Sequence, residues 1–193
     1  MDHEAVLDVF RKCGAMLEGH FLLSSGLHSP RYLQCARVCR LPDVCGRLCA
    51  ELAKEFQDTH VDVVVGPALG GIVLAYELAR ALSARGIFME RDAEGRMTLR
   101  RGFELKPGES VLVAEDVMTT GGSVAEIVEA AERAGAKVAG IACLVDRGGA
   151  KRFEGRRVAG LLRMEIPTYA PEACPQCREG APLVKPGSRE RQA

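Results

Sequence analysis

The stretch Val111-Leu112-Val113-Ala114-Glu115-Asp116-Val117-Met118-Thr119-Thr120-Gly121-Gly122-Ser123 joins an apolar run, two adjacent carboxylates and a loop of small residues. The apolar run predicts a buried strand, and the pattern from Val124 onward predicts an amphipathic helix. Backbone N–H groups of residues 119–123 would then lie at a helix N-terminus, where the helix dipole favours an anion such as phosphate. Glu115 and Asp116 would accept hydrogen bonds from sugar hydroxyls or hold a phosphate-bound cation. The stretch therefore predicts a site for a sugar phosphate.

The same residues have a simpler interpretation as a strand, a turn and a helix without a ligand. Ser123 and Glu126 match a capping box, in which the two side chains satisfy the first N–H groups of the helix. A cap does not explain the acid pair or the two glycines Gly121 and Gly122. We therefore favour phosphate binding.

Strand and helix patterns alternate along the chain. Strands are predicted at Val61–Val65, Val111–Ala114 and Val138–Val145, and helices at Ile72–Ala84 (ended by Gly86) and Val124–Ala134 (ended by Gly135). Val6, Val9, Phe10, Cys13 and Leu17 indicate a first amphipathic helix, and Pro42 is placed to begin another that extends to Phe56. Continuous apolar strands that alternate with helices predict an α/β fold with a mostly parallel central sheet covered on both faces.

Three predicted strands end in loops that carry candidate functional residues. Ligands of open parallel sheets bind at the carboxyl ends of the strands, so these loops would share one site. The loop Gly66-Pro67-Ala68-Leu69-Gly70-Gly71 would let backbone N–H groups approach a diphosphate, or it is only a tight turn. Arg147, in Asp146-Arg147-Gly148-Gly149, would pair with a carboxylate or phosphate, or it is a solvated surface arginine.

Residues 88–103 interrupt the alternation. A turn at residues 92–95 separates two short segments that carry Arg91, Arg96, Arg100 and Arg101. This pattern predicts a mobile arm or hairpin, here called the arm, that closes over a diphosphate and neutralises its charge. A solvated basic hairpin is the alternative, and the spacing does not say which arginine would reach a ligand.

The two ends of the chain show weaker patterns. Residues 20–34 suggest a hairpin split by a Ser-Gly turn, and the tail from Ile166 carries five of the nine prolines, which predicts an extended, non-helical segment. Cys174 and Cys177 form a C-x-x-C that would be half of a zinc site. A second ligand pair is missing from the tail, so zinc is not expected there. Cys45 and Cys49 fit a helix interior as small core side chains.

Length and composition limit the class of protein. The chain has 193 residues, enough for one domain with its own core, and 26 basic residues balance 26 acidic ones. This balance argues against a nucleic-acid-binding protein. No apolar run approaches the ~20 residues that span a bilayer, and Met1–Glu4 does not begin a signal sequence. We therefore expect no membrane partner and a cytoplasmic location.

Taken together, these motifs resemble the orotate phosphoribosyltransferases, a branch of the type I phosphoribosyltransferases, over nearly the whole chain. The resemblance rests on the segments 21–30, 66–71, 96–103 and 111–123, on Asp146-Arg147, and on the tail from Cys174 to Arg189. It implies a type I phosphoribosyltransferase fold in a single domain spanning 1–193. Residues 41–165 would form the core, residues 88–103 the arm, and residues 18–40 with 166–193 a small hood.

The family converts orotate and 5-phosphoribosyl-1-diphosphate (PRPP) to orotidine 5′-monophosphate and diphosphate in pyrimidine biosynthesis. The resemblance implies that Glu115 and Asp116 hold the ribose hydroxyls, directly or through water and a Mg²⁺ ion carried mainly by PRPP. It also implies a homodimer in which the arm serves the neighbouring subunit's site. The 5′-phosphate would contact Thr119, Thr120, Gly121, Gly122 and Ser123, and the diphosphate would contact Ala68, Leu69, Gly70 and Gly71. Orotate would contact Ser25, Gly26, Tyr32 and Arg147. The arginines that would act in catalysis are Arg91, Arg100 and Arg101.

The chain departs from the family at three places, and two other functions compete. Ser24 stands where many relatives have lysine, the loop 66–71 lacks a lysine that many relatives have, and the arm has neither Lys nor His between Arg91 and Arg101, so the general acid is not identified. The competing functions are transfer to a purine or to uracil, and a regulator that senses PRPP without turnover. The regulator usually needs a nucleic-acid-binding module of ~60 residues, for which this chain has no room.

Overall fold

A computed structural model describes residues 1–23, 25–148 and 152–186. The core of this part is a seven-stranded sheet with the order β5-β4-β3-β6-β7-β9-β8. Its strands are β3 (Val63–Pro67), β4 (Arg85–Arg91), β5 (Met97–Leu99), β6 (Ser110–Met118), β7 (Lys137–Asp146), β8 (Arg152–Phe153) and β9 (Arg156–Arg163). Neighbours among β4, β3, β6, β7 and β9 run parallel, and β5 and β8 are antiparallel at the two edges. The predicted α/β class is confirmed.

Helices cover both faces of this sheet. They are α1 (His3–Lys12), α2 (Ala36–Cys39), α3 (Pro42–Ala53), α4 (Gly70–Leu82) and α5 (Gly122–Arg133). Side chains of α1 to α4 form one buried cluster with Val64, Leu112 and Ala114, whereas α5 packs with Val63 and Val113 on the other face. Successive strand residues point to opposite faces, so a strand between two helical layers must be apolar at every position. Cys45 and Cys49 of α3 are buried, as predicted.

A second, three-stranded sheet of order β10-β1-β2 forms the hood. It combines β1 (Met16–Leu22), β2 (His28–Leu33) and β10 (Leu183–Val184). β1 and β2 make the predicted antiparallel hairpin, and β10 from the tail runs parallel to β1. The prediction of a non-helical tail is wrong at two places, because Pro171–Ala173 forms a 3₁₀ turn and α6 (Pro175–Arg178) forms a single α-helical turn, each beginning at a proline.

Two predicted helix limits are also wrong. α1 ends at Lys12, Gly14 then adopts a φ of 62°, and Leu17 belongs to β1 instead of the helix. α4 ends at Leu82, where Ser83 takes the left-handed conformation, and Gly86 lies inside β4. A Cβ at Gly86 would lie 3.3 Å from the Tyr76 Cα, so this glycine allows β4 to approach α4 closely. The predicted end of α5 at Gly135 is confirmed, because Gly135 follows the last turn with a φ of 77°.

The arm is only partly separate from the central sheet. Residues 85–89 pair in parallel with residues 63–67 of β3, so the first two residues of the predicted arm, 88 and 89, belong to a regular sheet strand. Ile87 and Met89 are buried and account for this pairing. Beyond them, β4 turns back on β5 as the predicted hairpin, with Met89 opposite Leu99 and Arg91 opposite Met97.

β9 is a strand that the sequence patterns did not predict. It pairs in parallel with β7 and continues the sheet beyond it. Among the segments that the structure describes, no helix has both the length and the apolar character needed to cross a membrane.

Candidate active site

The loop between β6 and α5 encloses a cavity of about 240 Å³. Its lining consists of Arg91, Glu115, residues 117–124 and Glu126. Thr119 and Thr120 are exposed at the end of β6, and Gly121 precedes the first turn of α5. The first N–H groups of a helix have no partner within the helix, so this cavity has the donors that a phosphate needs. Thr119, Thr120, Gly121, Gly122 and Ser123 are thus brought together as predicted.

Glycines allow this loop to pack closely against its neighbours. Gly121 has a φ of 79°, and a Cβ there would lie 2.5 Å from Phe153 Cε2, so a larger residue is disfavoured on two grounds. A Cβ at Gly148 would lie 2.7 Å from the Thr119 carbonyl oxygen. The Arg147 N–H donates to the Met118 carbonyl oxygen at 2.8 Å. The loop after β7 is therefore attached to the phosphate loop.

Glu115 and Asp116 lie inside β6, because the strand extends to Met118 and does not end at Ala114. As consecutive strand residues they point to opposite sides of the sheet. Glu115 lines the phosphate cavity. Asp116 accepts a hydrogen bond from the Val117 N–H at 2.8 Å and faces the start of α4, where a Cβ on Gly70 would lie 2.8 Å from Oδ2. The acid pair thus stands between two loops, with one carboxylate toward each.

The second of these loops joins β3 to α4. A Cβ on Gly71 would lie 2.6 Å from Pro67 Cδ, and one on Gly66 would overlap the Gly71 carbonyl oxygen, so both glycines are needed for the close turn. The Ala68–Leu69 peptide is cis. The Ala68 N–H donates to the Met89 carbonyl oxygen at 2.7 Å, which leaves residues 69–71 as the N–H groups that could hold an anion. Ala68 was predicted to bind the diphosphate, but its N–H is already used, so we assign it only a role in shaping the turn.

The hood approaches the site through Tyr32 and Cys35. The Cys35 Sγ lies 3.8 Å from the Asp116 carbonyl oxygen. Burial, and then the charge of Asp116, raises the pKa of the Tyr32 hydroxyl. Tyr32 thus lies near enough to Asp116 for its charge to act on the hydroxyl, and its contact with the base stays a prediction. Ser25 and Gly26 lie in the turn between β1 and β2 and make their contacts within it, with the Gly26 N–H donating to Leu23. Ser24 and Gly149 fall outside the described residues.

Arg147 is the most informative side chain at the end of β7. It is half-buried, and among the described residues its guanidinium donates one hydrogen bond, of 3.5 Å, from Nη2 to the Ile166 carbonyl oxygen. Its Nε is buried and has no hydrogen-bond partner in the described part of the chain. Burial lowers the pKa of this group. The guanidinium of a surface arginine would keep its hydrogen bonds to water, whereas burial removes them here. An anionic ligand would replace those hydrogen bonds, so the geometry favours one.

Asp146 is a positioning residue that the sequence patterns did not single out by itself. Its side chain is 1% exposed, pairs with Arg163 at 3.2 Å and accepts the Gly148 N–H at 2.9 Å. These contacts fix the backbone on both sides of Arg147. The signal available in the sequence was its place as the last residue of a buried strand.

The arginines of the arm are paired with nearby carboxylates. Arg91 makes two hydrogen bonds, of 2.9 and 2.8 Å, with Glu126 of α5 and so joins the lining of the phosphate cavity. Arg100 and Arg101 lie 3.5 and 3.0 Å from Glu90, away from that cavity. Exposed ion pairs contribute only about 0–1 kcal/mol to stability. The contacts with Glu90 would therefore not prevent Arg100 and Arg101 from binding a diphosphate instead.

One further group of residues comes together in the hood. His20, His28, Cys174 and Cys177 place their ligand atoms within 4.8 Å of one another. The expectation that Cys174 and Cys177 lack partners was wrong, because the second pair comes from β1 and β2 and not from the tail. Long-range pairing of the tail with the hairpin gives no local signal in the sequence.

Comparison with known proteins agrees with this geometry. Residues 40–158 match the family model "Phosphoribosyl transferase domain". An orotate phosphoribosyltransferase of Pelotomaculum thermopropionicum is 54% identical over 190 residues, which are 98% of this chain and 100% of that protein. One from Caldicellulosiruptor bescii is 52% identical over 191 residues, 99% of this chain and 100% of that protein.

Solved structures lead to the same assignment. The crystal structure of orotate phosphoribosyltransferase from Aeropyrum pernix matches with a TM-score of 0.70 and 32% identity, covering 82% of this chain and 93% of that one. The fold, the three loops at one edge of the sheet and the full-length relatives agree. The chain belongs to the orotate phosphoribosyltransferases, within the phosphoribosyl transferase domain family.

Proposed function

We propose that the chain transfers the 5-phosphoribosyl group of PRPP to orotate, giving orotidine 5′-monophosphate and diphosphate in pyrimidine biosynthesis. The observation that carries this proposal is the position of Glu115 and Asp116 between a phosphate loop and a glycine-rich second loop. PRPP has a phosphate at one end of its ribose and a diphosphate at the other. The spacing of the two loops around an acid pair fits this arrangement of charges.

The binding roles follow from where each group lies. Residues 119–123 hold the 5′-phosphate, residues 69–71 hold the diphosphate, and the two carboxylates accept the ribose hydroxyls between them. The guanidinium of Arg147, whose Nε has no partner among the described residues, binds the carboxylate of orotate, with Tyr32 beside the ring and Ser25 and Gly26 covering it from the hood. A carboxylate partner would satisfy the buried Arg147 Nε.

Glu115 and Asp116 also fit a Mg²⁺ ion that arrives with PRPP. Carboxylate oxygens are ligands that Mg²⁺ prefers, and this ion usually keeps several waters and binds through substrate phosphates. Both side chains are only partly buried, which leaves room for such waters. When bound, the ion would neutralise charge on the departing diphosphate.

The protein's part in the reaction is mainly orientation and electrostatic stabilisation. The two loops fix both ends of PRPP, so that the C1′ carbon faces the orotate ring nitrogen. As the bond to diphosphate breaks, the sugar gains positive charge, which Glu115 and Asp116 stabilise from nearby. The ring nitrogen of orotate loses its proton to water or to the departing diphosphate as it bonds to C1′, so a strong protein base is unnecessary. Arg100 and Arg101 offset the charge of the diphosphate once they exchange Glu90 for it.

We also propose that the protein is a homodimer in which the arm completes the neighbouring site. Leu69, Val73 and Tyr76 are 73%, 44% and 64% exposed, and they lie on one stripe at the start of α4. This apolar stripe begins at the diphosphate loop, so a partner packed there would lie close to the active site. The cytoplasmic location expected from the sequence stays a prediction.

The direct test follows the loss of orotate absorbance with PRPP, with and without Mg²⁺ and a chelator. The double variant Glu115→Gln plus Asp116→Asn should lower kcat by at least ~100-fold, the scale of a lost electrostatic contact at a transition state. Its unfolding midpoint should stay near that of the unaltered protein. Glu129→Gln, on the exposed side of α5, is the matched control. Near-normal turnover by the double variant would refute these roles.

Two further measurements separate the competing functions. Purines and uracil should not be consumed in place of orotate, so product formation from either would indicate transfer to another base. PRPP binding by calorimetry without any product, combined with salt-sensitive nucleic-acid binding, would instead indicate a regulator.

A further inference from the structure

Four side chains of the hood form a compact group outside the active site. His20 lies in β1, His28 begins β2, and Cys174 and Cys177 bracket the first turn of α6. His20 and His28 are each 4% exposed, Cys174 is completely buried, and Cys177 lies at the surface of the group. Nothing in the proposed transfer reaction uses these residues. We propose that they bind one Zn²⁺ ion in a tetrahedral structural site.

The distances between the ligand atoms fit this ion. Cys174 Sγ lies 3.4 Å from His20 Nε2, and Cys177 Sγ lies 3.6 Å from His20 Nε2 and 3.2 Å from His28 Nδ1. Zinc bonds of ~2.0–2.1 Å to nitrogen and ~2.3 Å to sulfur place tetrahedral ligands about 3.3–3.8 Å apart. The two histidine nitrogens, at 2.9 Å, need to separate by only a few tenths of an ångström to admit the ion.

The hydrogen bonding of His20 prepares it to bind a metal. Its Nδ1 lies 2.9 Å from the Ala181 carbonyl oxygen, which can only accept. Nδ1 therefore carries the proton, and the lone pair of Nε2 points toward the other three ligands. Metal-bound histidines characteristically donate their second nitrogen to a carbonyl or carboxylate in this manner.

The type of ligand selects zinc over the Mg²⁺ of the active site. Two thiols and two imidazoles form the Cys₂His₂ set of structural zinc centres, whereas Mg²⁺ requires oxygen ligands. All four protein groups converge on one point, which leaves no position for a substrate and makes the site structural instead of catalytic. Without metal, the same groups contact one another through hydrogen bonds.

The site would join the tail to the hairpin that covers the active site. His20 and His28 lie on either side of the turn that carries Ser25 and Gly26, and Gln176 Nε2 donates to the Gly19 carbonyl oxygen at 3.0 Å. β10 adds to β1 just beyond, with Leu183 opposite His20. A zinc ion at this place would hold both ends of the turn and the first turn of α6 in one unit. This effect on the turn rests on the proposed function, whereas metal binding does not.

Metal analysis of the full-length protein tests the site without reference to activity. After growth with zinc and extensive dialysis, we expect about one zinc per chain by mass spectrometry of the metal. Replacement by Co²⁺ should give an intense near-ultraviolet thiolate band and the visible bands of tetrahedral cobalt. Cys177→Ser should lose both the metal and the thiolate band, whereas Cys13→Ser, which changes a partly exposed cysteine at the end of α1, should retain both.

Three outcomes would overturn the proposal. Folded protein that takes up no zinc and shows no cobalt–thiolate band would exclude the site even if Cys177→Ser does not fold. A Cys174–Cys177 disulfide in the purified, unreduced protein, or equal metal loss from Cys13→Ser, would also exclude it. If the unaltered protein contains about one zinc per chain but consumes no orotate, the metal site is supported and the proposed reaction is refuted. The two failures are therefore distinguishable.

Discussion

Replacing Arg147 with glutamine should separate stability from activity. In the described part of the chain the Arg147 Nε is buried without a hydrogen-bond partner, and the hydrogen bond from Nη2 to the Ile166 carbonyl oxygen is long, at 3.5 Å. The folded protein therefore gains little from this guanidinium. Removal of a buried donor with no partner should leave the unfolding midpoint unchanged or slightly higher, because an unsatisfied group opposes folding.

The effect on catalysis should be large in comparison. Hydrogen bonds to a charged group contribute about 1.5–3 kcal/mol, and ~1.4 kcal/mol corresponds to a tenfold change. We therefore expect Arg147→Gln to lower kcat/KM for orotate by roughly 10-fold to 150-fold, while KM for PRPP changes much less. Arg147→Lys should recover only part of the loss, since lysine keeps the charge but not the planar fork.

Steady-state orotate consumption and thermal unfolding measured on the same preparations are sufficient assays. Arg133→Gln is the control, because Arg133 is exposed on α5 and pairs with Glu129. The reasoning is refuted if Arg147→Gln lowers the unfolding midpoint by more than ~3 °C, about 1 kcal/mol for a chain of this size, while kcat/KM changes by less than threefold. That result would mean that Arg147 stabilises the fold instead of binding the substrate.

Three other changes test separate parts of the structure. Gly71→Ala should lower the unfolding midpoint by roughly 3–10 °C, because the new Cβ would lie 2.6 Å from Pro67 Cδ; an unchanged melting curve would contradict this packing. The hydrogen bond from the Ser110 N–H holds the pKa of the Asp62 carboxyl below its usual value. This hydrogen bond therefore stabilises the folded protein above about pH 4, and the stabilisation disappears as pH falls through the lowered pKa. Asp62→Asn should therefore lower the midpoint at pH 7 and cease to do so in strong acid, measured by thermal unfolding across pH. Tyr76→Asp should convert a dimer to monomers in sedimentation analysis, and an unaltered dimer would exclude the stripe on α4 as the interface.

Local patterns predicted the central strands well. Val63–Val65 and Val111–Ala114 are continuous apolar runs because both sheet faces are covered, and this requirement is visible in a few consecutive residues. β9 escaped prediction because Arg156, Arg157 and Arg163 at its ends and Gly160 in its interior are atypical of a buried strand. The start of β4 was likewise hidden by the arginine-rich segment that follows it.

The site was predictable to the extent that it depends on strand ends. The loops after β3, β6 and β7 were found because parallel strands bring their carboxyl ends to one edge. The sequence did not predict that the side chains of Glu115 and Asp116 point in opposite directions, because this depends on β6 continuing through both residues. The hood cluster depends on contacts between residues about 150 positions apart, such as Cys177 with His28, and no local pattern encodes them.

The parallel pairing of β10 with β1 affects how the protein folds during translation. His20 is translated long before its strand neighbour Leu183. The nascent chain can build the helices and strands of the core while β1 still lacks this neighbour, and contacts of such wide separation form late. The three-stranded sheet is therefore completed only after translation of residues 183 and 184, so that a polypeptide interrupted before them would lack one of its three strands.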